Sequence, residues 1–177
     1  MNPVQKITPF LWFNDKAEEA VKFYVSLFSN SRIVSIKRYP EGPLEAPMKG
    51  MEGKVLTAVF ELEGQRFMAL DGGPFFQPSG AVSFYVECET QEEIDHFWTK
   101  LSAGGDPQSQ QCGWLKDKYG FSWQIIPRAL PELLNDRDKE KSARVMQAML
   151  KMKKIDIEGL KAAAEPKTAP QQNQGAS

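Results

Sequence analysis

A lone amide set among apolar residues on a strand is the first group in this sequence with an evident chemical use. Gln124 stands in residues 111–127, QCGWLKDKYGFSWQIIP, next to Trp123, Ile125 and Ile126. A buried amide has to be hydrogen-bonded, and an amide placed in an apolar pocket commonly fixes the orientation of a ligand. Its partner is therefore a ligand, the backbone or a second subunit. Strand alternation puts Ser122 on the same face. Cys112 and Trp114 open the same stretch. No His, Lys or helix N-terminus stands beside Cys112 to activate it, so an inert thiol is the simpler reading than a nucleophile. Trp114, Trp12 and Phe84 are flat enough to stack on a planar ligand, or are plain core aromatics. The acid pairs Glu18/Glu19 and Glu92/Glu93 each fall in the first turn of an expected helix, where the macrodipole explains them.

Histidine supply limits the remaining chemistry. The chain of 177 residues has one, His96. One histidine builds neither a two-His-one-carboxylate iron centre nor a triple-His zinc site within a subunit. Gly72-Gly73 and Gly104-Gly105 lack the spacing of a dinucleotide fingerprint or a Walker loop, which also counts against a Rossmann-type methyltransferase. The two cysteines, Cys88 and Cys112, make no disulfide framework and read as free thiols in a reducing cytoplasm. With a net charge of −1 and no basic stripe, nucleic acid is not an expected partner. No run approaches the ~20 apolar residues of a membrane span, and the start, MNPVQKITPF, lacks a signal-peptide pattern.

The elements that must hold these residues follow from periodicity. Residues 5–13 read as a strand, with Pro9 marking an edge. Asn14-Asp15 are placed to cap a helix running to about Phe28, with an apolar stripe of Ala17, Ala20, Val21, Tyr24 and Phe28. Strands follow at 32–39, 54–62 and 65–70, the last two joined at Glu63-Gly64. The Pro- and Gly-rich residues 40–53 form a loop of a length that often borders a ligand site. A second cycle has a strand at 81–87, then a helix opened by the capping box Thr90/Glu93 with Ile94, Phe97, Trp98 and Leu101 on its apolar face. The hairpin 111–127 ends it, turning at Lys116–Gly120.

The two cycles repeat. AEEAVKFYVSL (17–27) aligns with QEEIDHFWTKL (91–101) at an offset of 74, and GQRFMAL (64–70) with GFSWQII (120–126) at an offset of 56. Each copy reads strand–helix–three strands, the second with a shorter middle. One helix covers one sheet face per copy, so the other faces stay apolar and suit a shared cavity. Beyond Pro127 come a short helix at 130–134 and a charged helix at 138–152 with a stripe of Ala143, Met146, Met149 and Leu150. A helical piece at 156–164 follows, and then 165–177, too polar to fold and expected to be disordered.

The duplicated module resembles the vicinal oxygen chelate superfamily of glyoxalases, bleomycin-resistance proteins and extradiol dioxygenases. AEEAVKFYVSLF (17–28), Gly72-Gly73-Pro74 leading into VSFYVECETQEEID (82–95), and CGWLKDKYGFSWQIIP (112–127) look like its PhnB-like branch, which often carries a demethylubiquinone methyltransferase label. The resemblance covers about 5–152. It implies two tandem βαβββ modules in an open curved sheet around a cavity, usually in a homodimer. It also implies four pocket-facing positions that in relatives hold a metal with His or Glu. The repeat places these at Thr8 (or Pro9), Met68, Val82 and Gln124, a set that offers a dication no carboxylate or imidazole.

The sequence therefore predicts a cytoplasmic α+β protein with paired modules in 1–137 (about 5–71 and 81–127), a helical arm at 138–164 and a disordered tail. Its expected role is metal-independent binding of a small molecule in an aromatic pocket by Gln124, Ser122, Trp12, Phe84, Trp114, Cys112 and Met68. No metal and no cofactor are expected; the partners are a small-molecule ligand and a second copy of the chain. The alternative is an enzyme acting on a small hydrophobic substrate, including the methyl transfer that the branch label implies, with Glu41 or Glu45 of the 40–53 loop as a base.

Overall fold

The computed structural model describes residues 5–166. They divide into two compact units. One is formed by the chain up to Val82 together with Asp117–Ser122, the other by Ser83–Lys116 together with the chain from Trp123 on.

The first unit follows the expected βαβββ order: β1 (Phe10–Phe13), α1 (Ala17–Leu27), β2 (Ser31–Arg38), β3 (Val55–Leu62) and β4 (Gln65–Asp71). The sheet order is β1-β4-β3-β2, with β1 parallel to β4 and the other neighbours antiparallel. Glu63 and Gly64 both take positive φ, 46° and 78°, the two-residue geometry whose twist suits a hairpin. The register sets Ala58 opposite Ala69 and Phe60 opposite Phe67. These residues are buried on one face, as are Ala17, Ala20, Val21, Tyr24 and Leu27 of α1. The other face carries Phe10, Met68 and Val59 side by side.

Two buried carboxylates tie this unit together. The expected cap of α1 at Asn14-Asp15 is not what forms. Lys16 is the N-cap residue and makes no side-chain cap bond. The acceptor comes from the end of β4 instead: Asp71, 3% exposed, takes the Ala17 N–H at 2.8 Å and the Val55 N–H at 3.0 Å. Asp117, 2% exposed, organises the turn 117–120. Its Oδ1 accepts the Tyr119 and Phe121 N–H groups at 2.9 and 3.0 Å, and its Oδ2 accepts the Tyr24 hydroxyl at 2.6 Å. Gly120, at φ 90°, lets the turn close.

The second unit contains β5 (Ser83–Cys88), α2 (Gln91–Ser102), β6 (Trp114–Lys116), β7 (Ser122–Pro127, whose first residue groups with the first unit) and three helices, α3 (Ala129–Leu134), α4 (Lys139–Met149) and α5 (Ile157–Ala164). Its sheet order is β5-β7-β6. The Thr90 half of the capping box forms: Thr90 Oγ1 accepts the Glu93 N–H at 3.2 Å, while Glu93 accepts the N–H of Glu89, the residue before the cap, at 2.6 Å. The shortened middle of this module has a single-turn 3₁₀ helix, Pro107–Ser109, where the first module has a strand. The polar run there has no apolar alternation to bury, so two strands follow α2 and not three.

The C-terminal helices belong to this unit's core. Ile126 of β7 is buried with Leu130, Val145, Ile155, Leu160 and Ala164. The buried stripe of α4 is rotated from the expected one. Ser142 and Val145 are its buried residues, and Met149 packs on the same core. Ala143, Met146 and Leu150 face outward. Asp138 and Asp156 cap α4 and α5. Of the tail expected to be disordered, 165–177, residues 167–177 lie outside the described residues. No described helix is long and apolar enough to cross a membrane.

Candidate functional site

Alternation along β7 sends Trp123 and Ile125 to one side and Gln124 and Ile126 to the other. On the first side Trp123 is 2% exposed and packs on Phe84, ring centroids 5.0 Å apart. On the second side the sheet is the floor of a concavity of about 360 Å³. Tyr85, Trp114, Gln124 and Ile126 supply that floor, with Cys112 at its edge. The facing wall is Leu130, Pro131 and Leu134 of α3, Asn135 just past it, and Met149 at the end of α4. At the ~30 Å³ of one water in liquid, the space corresponds to about a dozen waters, within the size range of small-ligand sites.

Gln124 is the polar centre of the floor. Its Nε2 donates to Ser83 Oγ at 2.9 Å. The Ser83 hydroxyl can donate or accept, so either orientation of the amide keeps that bond. The Gln124 side chain is half-buried, and the second polar atom of its amide is not among the buried polar atoms that lack a partner, so it is open to solvent at the floor. No lining residue is Asp, Glu, Lys, Arg or His. Burial, with the Glu87 carboxylate second and Cys88 third, pushes the Tyr85 phenol above its ordinary value, which keeps it neutral. The site thus offers flat apolar surface with the Gln124 amide at its floor and the Asn135 amide at its wall, without a charged side chain.

The structure brings Gln124, Trp114 and Cys112 into this pocket. Phe84 stays in the layer with Trp123. The assignment of a face in Ser83-Phe84-Tyr85 turns on one residue of register, and it is Tyr85 that reaches the floor. Ser122 is buried, 4% exposed, and falls in the first unit. Met68 lies on the open face of the first sheet, between Phe10 and Val59. Trp12 lines a separate concavity of about 260 Å³ in the first unit, with Lys16, Phe76, Lys118 and Tyr119 among its neighbours. Its indole N–H donates to the Gly73 carbonyl at 2.9 Å. Glu41 and Glu45 line neither concavity. The wall residues were out of reach of the repeat argument, because they lie beyond both copies. Their only signal was the apolar content of 130–134 and Met149.

The four positions that hold a metal in relatives do not fit one here. Met68 offers a thioether, Val82 an aliphatic side chain 68% exposed, Thr8 a hydroxyl and Gln124 a neutral amide. A hard or borderline dication prefers carboxylate or imidazole to all of these. Among the described residues no three His, Cys, Asp or Glu side chains are grouped to bind a metal.

With this geometry in hand, comparison with known proteins is informative. A comparison with curated proteins gave no match. A PhnB protein of Bacillus cereus, whose description gives the 3-demethylubiquinone-9 3-methyltransferase name as a provisional one, is 48% identical. The match covers 70% of this chain and 99% of that one, with a TM-score of 0.59. Protein PA1353 from Pseudomonas aeruginosa shares the fold at 20% identity, 70% and 97% coverage and a TM-score of 0.56. A glyoxalase/bleomycin resistance protein from Albidiferax ferrireducens T118 matches at 15% identity, 70% and 99% coverage and a TM-score of 0.44. The profile of the family described as 3-demethylubiquinone-9 3-methyltransferase matches residues 5–126. The chain belongs to this PhnB-like family.

Proposed function

We propose that this protein binds a small molecule without a metal, on the open face of its second sheet, with Gln124 as the polar anchor. The observation that carries the reading is a half-buried amide, held by Ser83, at the floor of an uncharged, largely apolar concavity. Trp114 and Tyr85 beside it supply stacking surface for a planar group. The donor chemistry of Thr8, Met68, Val82 and Gln124 supports metal independence. The protein acts as a homodimer in this reading, supported by apolar side chains such as Ile7 and Phe10, 87% and 50% exposed in the single chain.

Native mass spectrometry of freshly purified protein tests all three parts. The expected spectrum is a dimer with an organic ligand in the wild type, lost in Gln124→Leu, and no stoichiometric metal. A bound zinc, nickel or iron ion, or a ligand retained equally by Gln124→Leu, would overturn the reading. The alternative is turnover of a neutral apolar substrate, with the methyl transfer of the family name as one case. Its support is the name alone, since the pocket lining holds no carboxylate or imidazole to take a proton. Methylation of a phenol from a sulfonium methyl donor by the pure protein would establish it in place of simple binding.

A further inference from the structure

The sheet gives this pocket only its floor. The facing wall is built from residues past 126, where the match to the family ends. The Bacillus cereus relative is covered over 99% of its length by 70% of this chain, so the helices α3 to α5 are largely additional to what the two share. We infer that this C-terminal extension is the specificity element of the site: it completes the pocket and selects an uncharged, flat, mostly apolar molecule with one hydrogen-bonding group. This inference rests on the binding reading above.

Three observations carry it. First, the wall is fixed to the floor at several points. The Cys112 and Gly113 N–H groups donate to the Met152 and Lys153 carbonyls at 2.9 and 2.8 Å, and Gln111 Nε2 donates to the Leu150 carbonyl at 2.7 Å. Ile126 is shared between the floor and the helices' own core. A Cβ at Gly113 would stand 3.2 Å from Ile155 Cγ1 of the extension, so the absence of a side chain there lets the two approach closely. Second, the wall contributes Leu134 and Met149, apolar side chains that line the same concavity as Trp114 and Gln124. Third, the lining holds no charge, so an ionic ligand would lose its hydration without gaining a counter-ion.

A matched pair of fluorescent probes tests this: N-phenyl-1-naphthylamine, neutral with one N–H donor, and 8-anilino-1-naphthalenesulfonate, the same skeleton with a sulfonate. The wild type is expected to bind the neutral probe at one site, at least about tenfold more tightly than the sulfonate. Gln124→Leu and Trp114→Ala weaken it. The pair Leu134→Ala with Met149→Ala weakens it by about tenfold through lost apolar contact. Asn135→Arg, at an exposed position that leaves folding intact, shifts preference toward the sulfonate several-fold. Far-UV circular dichroism confirms that each variant is folded. If the neutral probe fails to bind, or ignores Gln124→Leu and Trp114→Ala, the site itself is wrong and the inference falls with it. If those two variants weaken binding but the α3 and α4 variants change neither probe, the site stands and the inference about the extension is overturned. Equal affinity of the wild type for both probes refutes the ligand class.

Discussion

Replacing Tyr24 by phenylalanine should cost this protein about 2 kcal/mol, because a hydrogen bond to an ionised group is worth roughly 1.5–3 kcal/mol. The Tyr24 hydroxyl donates to Asp117 at 2.6 Å, and both residues are buried, Tyr24 at 0% and Asp117 at 2% exposure. Water therefore cannot replace the lost donor. In a chain of this size 1 kcal/mol moves the melting temperature by about 2–4 °C, so Tyr24→Phe should melt about 4–8 °C lower. Asp117→Ala should cost more, since it also strands the Tyr119 and Phe121 N–H groups. The double variant should lose about 1–2 kcal/mol less than the sum of the two singles, as groups in direct contact couple. A pH series adds an independent check. Burial first, then the Asp117 carboxylate, raises the Tyr24 phenol well above its ordinary value. A raised phenol favours folding in full below the ordinary value of about 10, and that stability is lost as pH climbs through the folded-state value. The wild type should thus lose stability above pH ~10 more steeply than Tyr24→Phe. Urea unfolding followed by tryptophan fluorescence measures both effects. A melting point unchanged in Tyr24→Phe, or a coupling near zero, would refute the role given to this pair.

Asp71→Ala should be among the most damaging single changes in the first unit: it leaves the Ala17 and Val55 N–H groups without acceptors, at about 1–3 kcal/mol each, read by thermal melting. Gly72→Ala should destabilise by about 1–3 kcal/mol, the usual cost of overpacking, because its Cβ would collide with the Trp12 ring; loss of the Trp12 indole N–H signal on Gly73 by NMR would accompany it. Thiol titration of the native protein with an aromatic disulfide should count one cysteine and rise to two on unfolding. Cys88 is fully buried and burial, with Glu93 and Glu87 adding to it, pushes it up to about 12, whereas Cys112 stands at the pocket edge. A bound ligand should slow that first reaction.

Local chemistry was readable and distant chemistry was not. The Thr90 cap and the Glu63-Gly64 turn are built by residues within four positions of one another, and both form as their types demand. The start of α1 was misread because its acceptor, Asp71, arrives from 54 residues away through the parallel pairing of β1 with β4. The 17–27 and 91–101 alignment located both helices, yet the drop in offset from 74 to 56 hid the fact that the shortened stretch holds no strand. In the site, Gln124 was found because an amide is conspicuous in an apolar strand. Phe84 and Tyr85 are adjacent aromatics on one strand, so composition alone does not say that Tyr85 is the one on the Gln124 face. The α4 stripe was read with methionines dominant, while the single β-branched Val145 decides which face is buried.

The turn at Asp117 has a consequence for how the protein is made. The sequence repeat suggests a first module finished at residue 71, but the unit it belongs to includes Asp117–Ser122. A nascent chain that has reached only residue 82 carries a buried-in-waiting Tyr24 hydroxyl without its acceptor, and the helix face around it is incomplete. Synthesis must run about 40 residues further before that segment exists. Duplication in the gene and completion on the ribosome therefore follow different boundaries. A gene cut between the two copies should yield a first half that is expressed but does not settle, until a peptide bearing residues 117–122 is supplied.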